Sequence, residues 1–229
     1  MLILQIETAT AVCSVALSQN GKTIGQVEID SPNVHASKLT RLIEQVMGEC
    51  SLPLNQLDAV AVSKGPGSYT GLRIGVSTAK GLCYALDKPL IAIDSLHALA
   101  SGFVYKNTGL PEESLLYPMI DARRLEVYTA VFNTRGDILK KTSAQVLDAD
   151  FFTGCNEEGP FILFGDGADK FKEIFSDDKR ILIVPQFRPS AAHLTLLASK
   201  SFSSSNFEDN AYFEPFYLKD FIPLQPKKK

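Results

Sequence analysis

The feature of the sequence that most constrains its fold is an order of predicted elements that occurs twice. In the first half, three short β-rich segments are followed by helix, strand, helix, strand and helix. In the second half the order returns, with three strands, a short helix near residues 148–153, and then strand, helix, strand and helix. No repeat of individual residues accompanies this duplication. A doubled order of this kind predicts two α/β domains, each a mixed sheet with helices, facing each other across a cleft.

The boundary between the two predicted domains lies at Gly109–Pro111. A chain of 229 residues is long enough for two modest domains, at roughly 100–200 residues each. We therefore assign residues 1–108 to an N-terminal domain and residues 109–229 to a C-terminal domain that ends in a flexible basic tail, LQPKKK. The doubled layout resembles the actin-like ATPase and sugar-kinase fold (ASKHA, ribonuclease H-like). That resemblance implies that nucleotide phosphates would lie at the first hairpin.

The charge of the chain limits its direct partners. The formal net charge is −3, whereas a protein that grips nucleic acid on its own needs a surplus of Lys and Arg to neutralise phosphates. Any action on RNA would therefore depend on another subunit for positive surface.

The cysteines and the N-terminal segment predict a cellular compartment. The four cysteines are far apart and form no CxxC pair, which favours buried free thiols in a reducing environment; they are Cys13, Cys50, Cys83 and Cys155. The opening segment MLILQIETAT lacks the basic start of a signal peptide. No run approaches the ~18 apolar residues of a membrane span. We expect a cytoplasmic protein without a membrane segment.

Three segments could hold a phosphate group. The first hairpin turn, ETATAVCS, has Ala9 and Ala11 where glycine would allow close approach to the backbone. GPGSYTG precedes a helix N-terminus, which attracts anions, but it lacks the lysine and spacing of a P-loop. FGDGADKF places a Gly-Asp-Gly between a strand and a helix. We favour plain turns for the first two segments, with Ser68 or Thr70 as a helix cap in the second. For the third, a nucleotide contact from the second domain and a strand-to-helix turn capped by Asp166 explain the pattern equally well.

Two carboxylates and two arginines are predicted to lie at the cleft. Glu7 and Asp121 end the first strand of each half, where they could hold a metal, act as acid and base, or make hydrogen bonds at strand ends. Arg123 and Arg124 occupy the turn of the second hairpin, as salt-bridge partners or as contacts to an anion or a partner. No histidine pair has metal-ligand spacing. We assign no catalytic, cofactor or metal residue.

Glycines inside a predicted helix point to a partner. The helix over residues 71–86 contains Gly75 and Gly81, each costing about 0.5–1 kcal/mol relative to alanine. A phosphate loop would not require them, whereas close packing against a second helix would. We therefore predict a partner interface on this helix. Its predicted interface residues are Gly71, Gly75, Thr78, Ala79 and Leu82.

Several segments of the first 130 residues together resemble one family. They are SKGPGSYTGLRIGVSTAKGL, ILQIETAT, HASKLTRLIEQV and IDARRLEVY. The chain resembles the TsaB (YeaZ) family, the non-catalytic dimerisation subunit of the bacterial machinery for threonylcarbamoyladenosine in tRNA. The second half matches loosely. The family's usual His-Ser-Glu at the start of the first helix reads His35-Ala36-Ser37 here, which leaves the role of His35 open.

The resemblance implies partners and the absence of catalysis. In this family TsaD carries out the transfer and TsaE is an ATPase helper. The metal motif of TsaD, His-x-x-x-His, falls on Ser95 and Leu99, with His97 out of register. The chain is thus expected to be an inactive homologue of the transferase and not an enzyme.

The same resemblance implies how the subunits meet. The helix near His35 and the one from Gly71 would pair with those of TsaD, or of a second copy when the chain is alone, and tRNA would be reached only through the complex. The resemblance thereby adds the apolar stripe of the helix near His35 to the predicted interface, namely Leu39, Leu42, Ile43 and Val46. The alternative is an ATP-dependent small-molecule kinase of the actin-like fold, with Glu7 and Gly167 serving the nucleotide.

Overall fold

The computed structural model describes residues 1–153 and 159–219 and contains two five-stranded sheets. The strands of the first sheet are β1 (Leu2–Glu7), β2 (Val12–Gln19), β3 (Lys22–Asp30), β4 (Ala59–Gly65) and β5 (Leu90–Asp94). Those of the second are β6 (Leu115–Asp121), β7 (Glu126–Phe132), β8 (Ile138–Val146), β9 (Phe161–Phe164) and β10 (Ile181–Val184).

The two sheets have the same topology. The first has the order β3-β2-β1-β4-β5 and the second the order β10-β9-β6-β7-β8, which is the same order read from the other edge. In each, three antiparallel strands form a meander and two parallel strands extend it. The predicted duplication is confirmed at the level of the sheets.

Four α-helices surround the sheets within the described residues. They are α1 (His35–Glu49), α2 (Tyr69–Leu86), α3 (Ser95–Lys106) and α4 (Thr195–Ser203). Neither α1 nor α2 nor any other described helix has the length and apolar character needed to cross a bilayer.

The second half has fewer helices than its sequence pattern predicts. Residues 148–153 form turns instead of the short helix. The segment ADKFKEIF forms one 3₁₀ turn, Asp169–Phe171, followed by a single helix-type bond from Phe175 N to Phe171 O at 3.0 Å. Both phenylalanines are buried in the core of the second sheet. The apolar spacing of four therefore reflects burial, and a helix this short gains little stability from its own backbone bonds.

The packing of α3 and α4 revises the domain boundary. One face of the first sheet is covered by α1 and α2, while Ile3 and Ile91 on the other face pack against Leu194 and Ala198. The prediction that all residues from 109 onwards form the second domain is therefore wrong for α4, which completes the first. Its apolar residues cannot reveal from sequence which sheet they cover.

The helix α3 lies between the two sheets. Its Ala98 belongs to the core cluster of the first sheet, and Leu99 and Phe103 belong to that of the second. The ring of Phe103 stacks on Phe164 at a centroid distance of 4.0 Å. A rigid helix shared by both cores fixes the position of one sheet relative to the other.

The predictions for the cysteines and the tail have different outcomes. Cys13 and Cys83 are buried free thiols, as predicted, whereas the free thiol Cys50 is partly exposed. Cys155 and the LQPKKK tail lie outside the described residues.

Candidate partner interface and interdomain cleft

A cleft of about 1320 Å³ lies where the two hairpins meet. Its walls are the β1–β2 turn at residues 9–11, the N-terminal end of α2 at residues 67–71, the β6–β7 turn at residues 121–126, and the C-terminal segment at residues 216–219. The N-terminal end of α1 also lines it, through His35 and Ala36. The cleft is thus built by both halves of the chain.

Three backbone donors of the first hairpin are occupied by the chain's own oxygens. Ala9 N donates to Glu7 Oε1 at 2.6 Å, Val12 N donates to Thr10 Oγ1 at 3.3 Å, and Thr8 N donates to Ser63 Oγ at 3.4 Å. A phosphate-binding turn needs such N–H groups to converge on the anion. This turn therefore has the hydrogen bonding of an ordinary hairpin.

The glycine loop before α2 packs against that same hairpin. Ser68 N donates to Ala9 O at 2.6 Å, and a Cβ at Gly67 would overlap that same Ala9 carbonyl. Ser68 Oγ accepts from Gly71 N at 3.3 Å and caps the helix. The loop is glycine-rich because two backbones approach closely. The interpretation as a turn with a serine cap is confirmed.

Glu7 and Asp121 do not form a pair. Glu7 is buried and its Oε1 accepts from Ser63 Oγ at 3.0 Å as well as from Ala9 N. Asp121 instead forms an ion pair with Lys170 at 2.5 Å. Both carboxylates therefore make hydrogen bonds at strand ends, which is one of the alternatives that the sequence left open.

The carboxyl group that interacts with Glu7 is Asp166, which sequence reasoning did not assign to the site. Burial and, to a smaller extent, the nearby charge of Asp166 raise the pKa of Glu7 to about 7. Burial and the charge of Asp121 raise the pKa of Asp166 to about 6. Asp166 Oδ1 has no hydrogen-bond partner among the described residues. The Gly-Asp-Gly after a strand was the available signal, since it places this carboxylate just after β9, at the edge of the second sheet where the parallel strand β6 ends with Asp121.

The buried acid makes a pH dependence testable. The pKa of Glu7 in the folded chain, about 7, lies above its ordinary value of 4.5. The stability that depends on a protonated Glu7 is therefore fully present below pH 4.5 and is lost as pH rises through 7. We expect Glu7→Gln to be more stable relative to the wild type at pH 9 than at pH 5, by up to about 3 kcal/mol. Urea unfolding at both pH values measures this.

The control for that measurement is Glu44→Gln, because Glu44 is exposed on α1. It should leave the pH dependence of the unfolding free energy unchanged. Parallel pH profiles for the wild type and Glu7→Gln would show that Glu7 ionises normally in the folded chain.

Most of the predicted interface residues lie inside the chain's own core. Leu39, Leu42, Ile43, Val46 and Ala79 are at most 4% exposed and pack against the first sheet. Their apolar stripe covers the sheet and is not available to a partner. The prediction that these five contact another chain is wrong.

The glycines Gly71 and Gly75 are also turned inward. A Cβ at Gly75 would overlap the Oγ1 atom of Thr8, and one at Gly71 would overlap the backbone oxygen of Thr8. These glycines let α2 approach the end of β1, so their prediction as partner contacts is wrong as well. Thr78 and Leu82 are half-buried, at the edge of the exposed surface.

The outward side of α2 carries a different set of small residues. They recur at steps of three and four and are, in order, Thr70, Ile74, Ser77, Gly81 and Ala85. All are exposed except Ile74, which is half-buried, and a Cβ at Gly81 would meet nothing within 4 Å. We call these five residues the outer face of α2. This face lies on a different side of α2 from the strip that the sequence predicted.

One flank of α2 is covered by the C-terminal segment. Lys80 Nζ donates to Ala211 O at 3.1 Å and to Phe213 O at 2.9 Å. Arg73 Nε donates to the hydroxyl of Tyr217 at 3.1 Å, and its guanidinium lies 4.4 Å from the centroid of the Tyr69 ring. Arg73 and Lys80 of α2 are therefore used in contacts within the chain.

Ser95 and Leu99, the positions expected from the resemblance to stand in place of metal ligands, have structural contacts. Ser95 Oγ accepts from Gly65 N at 3.1 Å, and Leu99 is 1% exposed in the core of the second sheet. His97 lies 5.4 Å from the ring of Phe132, and burial lowers its pKa. Within residues 1–153 and 159–219, no three His, Cys, Asp or Glu side chains cluster at metal-binding distance.

Solved structures share this architecture. YeaZ from Pseudomonas aeruginosa superimposes with a TM-score of 0.77 at 26% identity, covering 95% of this chain and 99% of that one. The ethanolamine utilization protein EutJ from Carboxydothermus hydrogenoformans superimposes with a TM-score of 0.54 at 12% identity, covering 86% and 90%, which is a likeness of fold alone. The predicted duplicated actin-like ATPase fold is confirmed.

Sequence comparisons identify the family. A family model described as "TsaD: tRNA N6-adenosine threonylcarbamoyltransferase" matches residues 24–221. The tRNA threonylcarbamoyladenosine biosynthesis protein TsaB of Bacillus subtilis (strain 168) is 30% identical over 180 residues, covering 77% of this chain and 76% of that protein. TsaB of Escherichia coli (strain K12) is 27% identical over 227 residues, covering 97% and 96%. With these relatives and the YeaZ superposition, the chain belongs to the TsaB (YeaZ) family.

Proposed function

We propose that this chain is the non-catalytic subunit that binds and stabilises a TsaD-type transferase, acting with a TsaE-type ATPase in the threonylcarbamoyl modification of the adenosine next to the tRNA anticodon. The observation that carries the proposal is the outer face of α2, where small residues leave the helix backbone open to a neighbouring helix. The names of the curated relatives, proteins of tRNA threonylcarbamoyladenosine biosynthesis, supply the pathway.

The chemistry of the cleft supports a role without catalysis. The first hairpin uses its N–H groups on Glu7, Thr10 and Ser63, which disfavours phosphate binding there. Ser95 and Leu99 make structural contacts where the transferase motif would have metal ligands. The hairpin and the contacts of Ser95 and Leu99 are both consistent with a chain that acts by assembling with a partner and not by catalysis.

The geometry also favours helix-to-helix contact. Ordinary helix pairs lie ~8–10 Å apart, and small side chains at Ser77, Gly81 and Ala85 permit a closer approach. We propose that the partner's helices pack on this face beside α1. The same face would pair two copies of this chain when no transferase is present.

Co-expression with the transferase subunit of the same organism tests the proposal. A tagged chain should retain the transferase through purification, and light scattering should give the mass of a mixed complex. The transferase should also melt at a higher temperature in the complex than alone, because binding stabilises the folded state. A chain that fails to retain the transferase but phosphorylates a small molecule with ATP would refute the proposal and favour the kinase alternative.

A further inference from the structure

The β6–β7 turn has an unusual backbone. Arg123 and Arg124 both have positive φ angles, 74° and 52°, in the left-handed region that glycine prefers. The turn is closed by hydrogen bonds from Glu126 N to Arg123 O and from Ala122 N to Glu126 O, each 3.1 Å long. Two consecutive non-glycine residues in this conformation are energetically costly, and such strain concentrates at functional sites.

The side chains at this turn are charged and unpaired. Arg123 and Arg124 are exposed, and neither forms a salt bridge within residues 1–153 and 159–219. The neighbouring carboxylates form ion pairs with lysines instead: Asp121 pairs with Lys170, and Glu126 pairs with Lys219. Two guanidinium groups therefore remain available to an external anion.

The turn shares its cleft with the proposed partner surface. The residues that line the cleft include Thr70 and Ile74 of the outer face of α2, together with Ala36 of α1. A partner seated on that face would extend over the mouth of the cleft and meet the β6–β7 turn on its far wall. The arginines are thus placed to make a second contact with the same partner.

We infer that Arg123 and Arg124 bind carboxylate side chains of an acidic segment of the transferase subunit, an inference that rests on the proposed function. A guanidinium binds a carboxylate through two parallel hydrogen bonds, which fixes orientation as well as attraction. Leu125 and Val146 beside the arginines are 47% and 64% exposed. Apolar side chains interleaved with the charges favour a protein segment over a nucleic acid backbone as the occupant.

Charge reversal tests the inference. The variant Arg123→Glu/Arg124→Glu should raise the Kd for the co-purified transferase at least about tenfold and should flatten its dependence on salt. The matched control is Arg135→Glu/Lys179→Glu, which reverses two exposed charges away from the cleft and should leave the Kd unchanged. A Kd for the first variant equal to that of the wild type would overturn the inference.

A second variant separates binding from folding. Glycine adopts the positive φ angles without strain, so Arg123→Gly/Arg124→Gly should keep or raise the melting temperature while weakening transferase binding to a similar extent. Normal binding by this variant would also overturn the inference. If charge reversal abolished binding of tRNA to the free chain and left transferase binding intact, the arginines would serve nucleic acid instead.

Experiments can distinguish a failure of the proposed function from a failure of the inference about Arg123 and Arg124. Gly81→Leu should abolish assembly if the outer face of α2 is the main contact. If Gly81→Leu abolishes assembly and the arginine variants do not weaken it, the proposed function stands and the inference falls. If Gly81→Leu and the arginine variants all bind the transferase like the wild type, the proposed interface itself is wrong.

Discussion

Replacing Gly75 by leucine is expected to destabilise the folded chain by about 3 kcal/mol or more. Thr8 is fully buried against this glycine, and its Oγ1 atom lies where the new Cβ would be. The Thr8 side chain cannot turn towards solvent, so the helix would have to lift from β1 and expose Val76 and Ala79. Overpacking of this kind costs about 1–3 kcal/mol or more, and the lost core contacts add to it. A loss of 3 kcal/mol or more is a large part of the ~5–15 kcal/mol that stabilises a folded protein.

Thermal melting followed by circular dichroism measures this effect. Gly75→Leu should show no cooperative transition or a strongly lowered melting temperature. The matched control is Gly81→Leu on the same helix, where the new side chain meets open space and helix propensity improves by about 0.8 kcal/mol. A Gly75→Leu protein that melts like the wild type would place Gly75 on the outside of the helix, as the sequence alone suggested.

Replacing Gly81 by leucine is expected to abolish assembly without unfolding the chain. A leucine at the centre of the outer face of α2 would hold the partner's helix away from the small residues on both sides. A clash at a packed centre costs more than a lost contact at the rim, so the Kd for the transferase should rise at least about a hundredfold. Light scattering of the mixture measures the loss of the complex.

The control for assembly is Ser203→Leu, at an exposed position of α4 on the opposite face of the first sheet. It adds comparable bulk to a helix and should leave the complex intact. A mixed complex of normal affinity with Gly81→Leu would move the interface away from α2.

The sequence predicts the architecture well because local patterns encode it. Asn20 and Gly21 have positive φ angles of 51° and 77°, as an Asn-Gly hairpin requires, and they join β2 to β3. Ser68 caps α2 at the position that the loop composition indicates. Buried strands and turn residues recur in the same order in both halves, so the duplicated sheets follow from periodicity and turn chemistry.

The orientation of α2 could not be predicted in the same way. Nearly its whole circumference is apolar or small, so periodicity does not identify the buried side. The contact that decides the question joins Gly75 to Thr8, which are far apart in the sequence. Of the two interior glycines, Gly75 packs closely against Thr8 just after the chain's own first strand, whereas a Cβ at Gly81 would meet nothing within 4 Å.

Tertiary packing also decided which helices belong to which sheet. The apolar pattern in and just before α4 does not specify a sheet, and the fold brings Leu194 and Ala198 against Ile3. The role of Asp166 was hidden for a similar reason, because its effect on Glu7 arises between two sheets. Local sequence defines an element and its cap, whereas its neighbours come from the assembled chain.

The measurement that tests the central claim most directly is the threonylcarbamoyladenosine content of tRNA in cells that lack this chain and carry its variants. If the chain acts by assembly and not by catalysis, Glu7→Gln and Asp166→Asn should restore the modification to the wild-type level. Gly81→Leu, although folded, should not restore it. Full restoration by Gly81→Leu, together with loss of the modification in the folded carboxylate variants, would contradict the account and place the activity in the cleft.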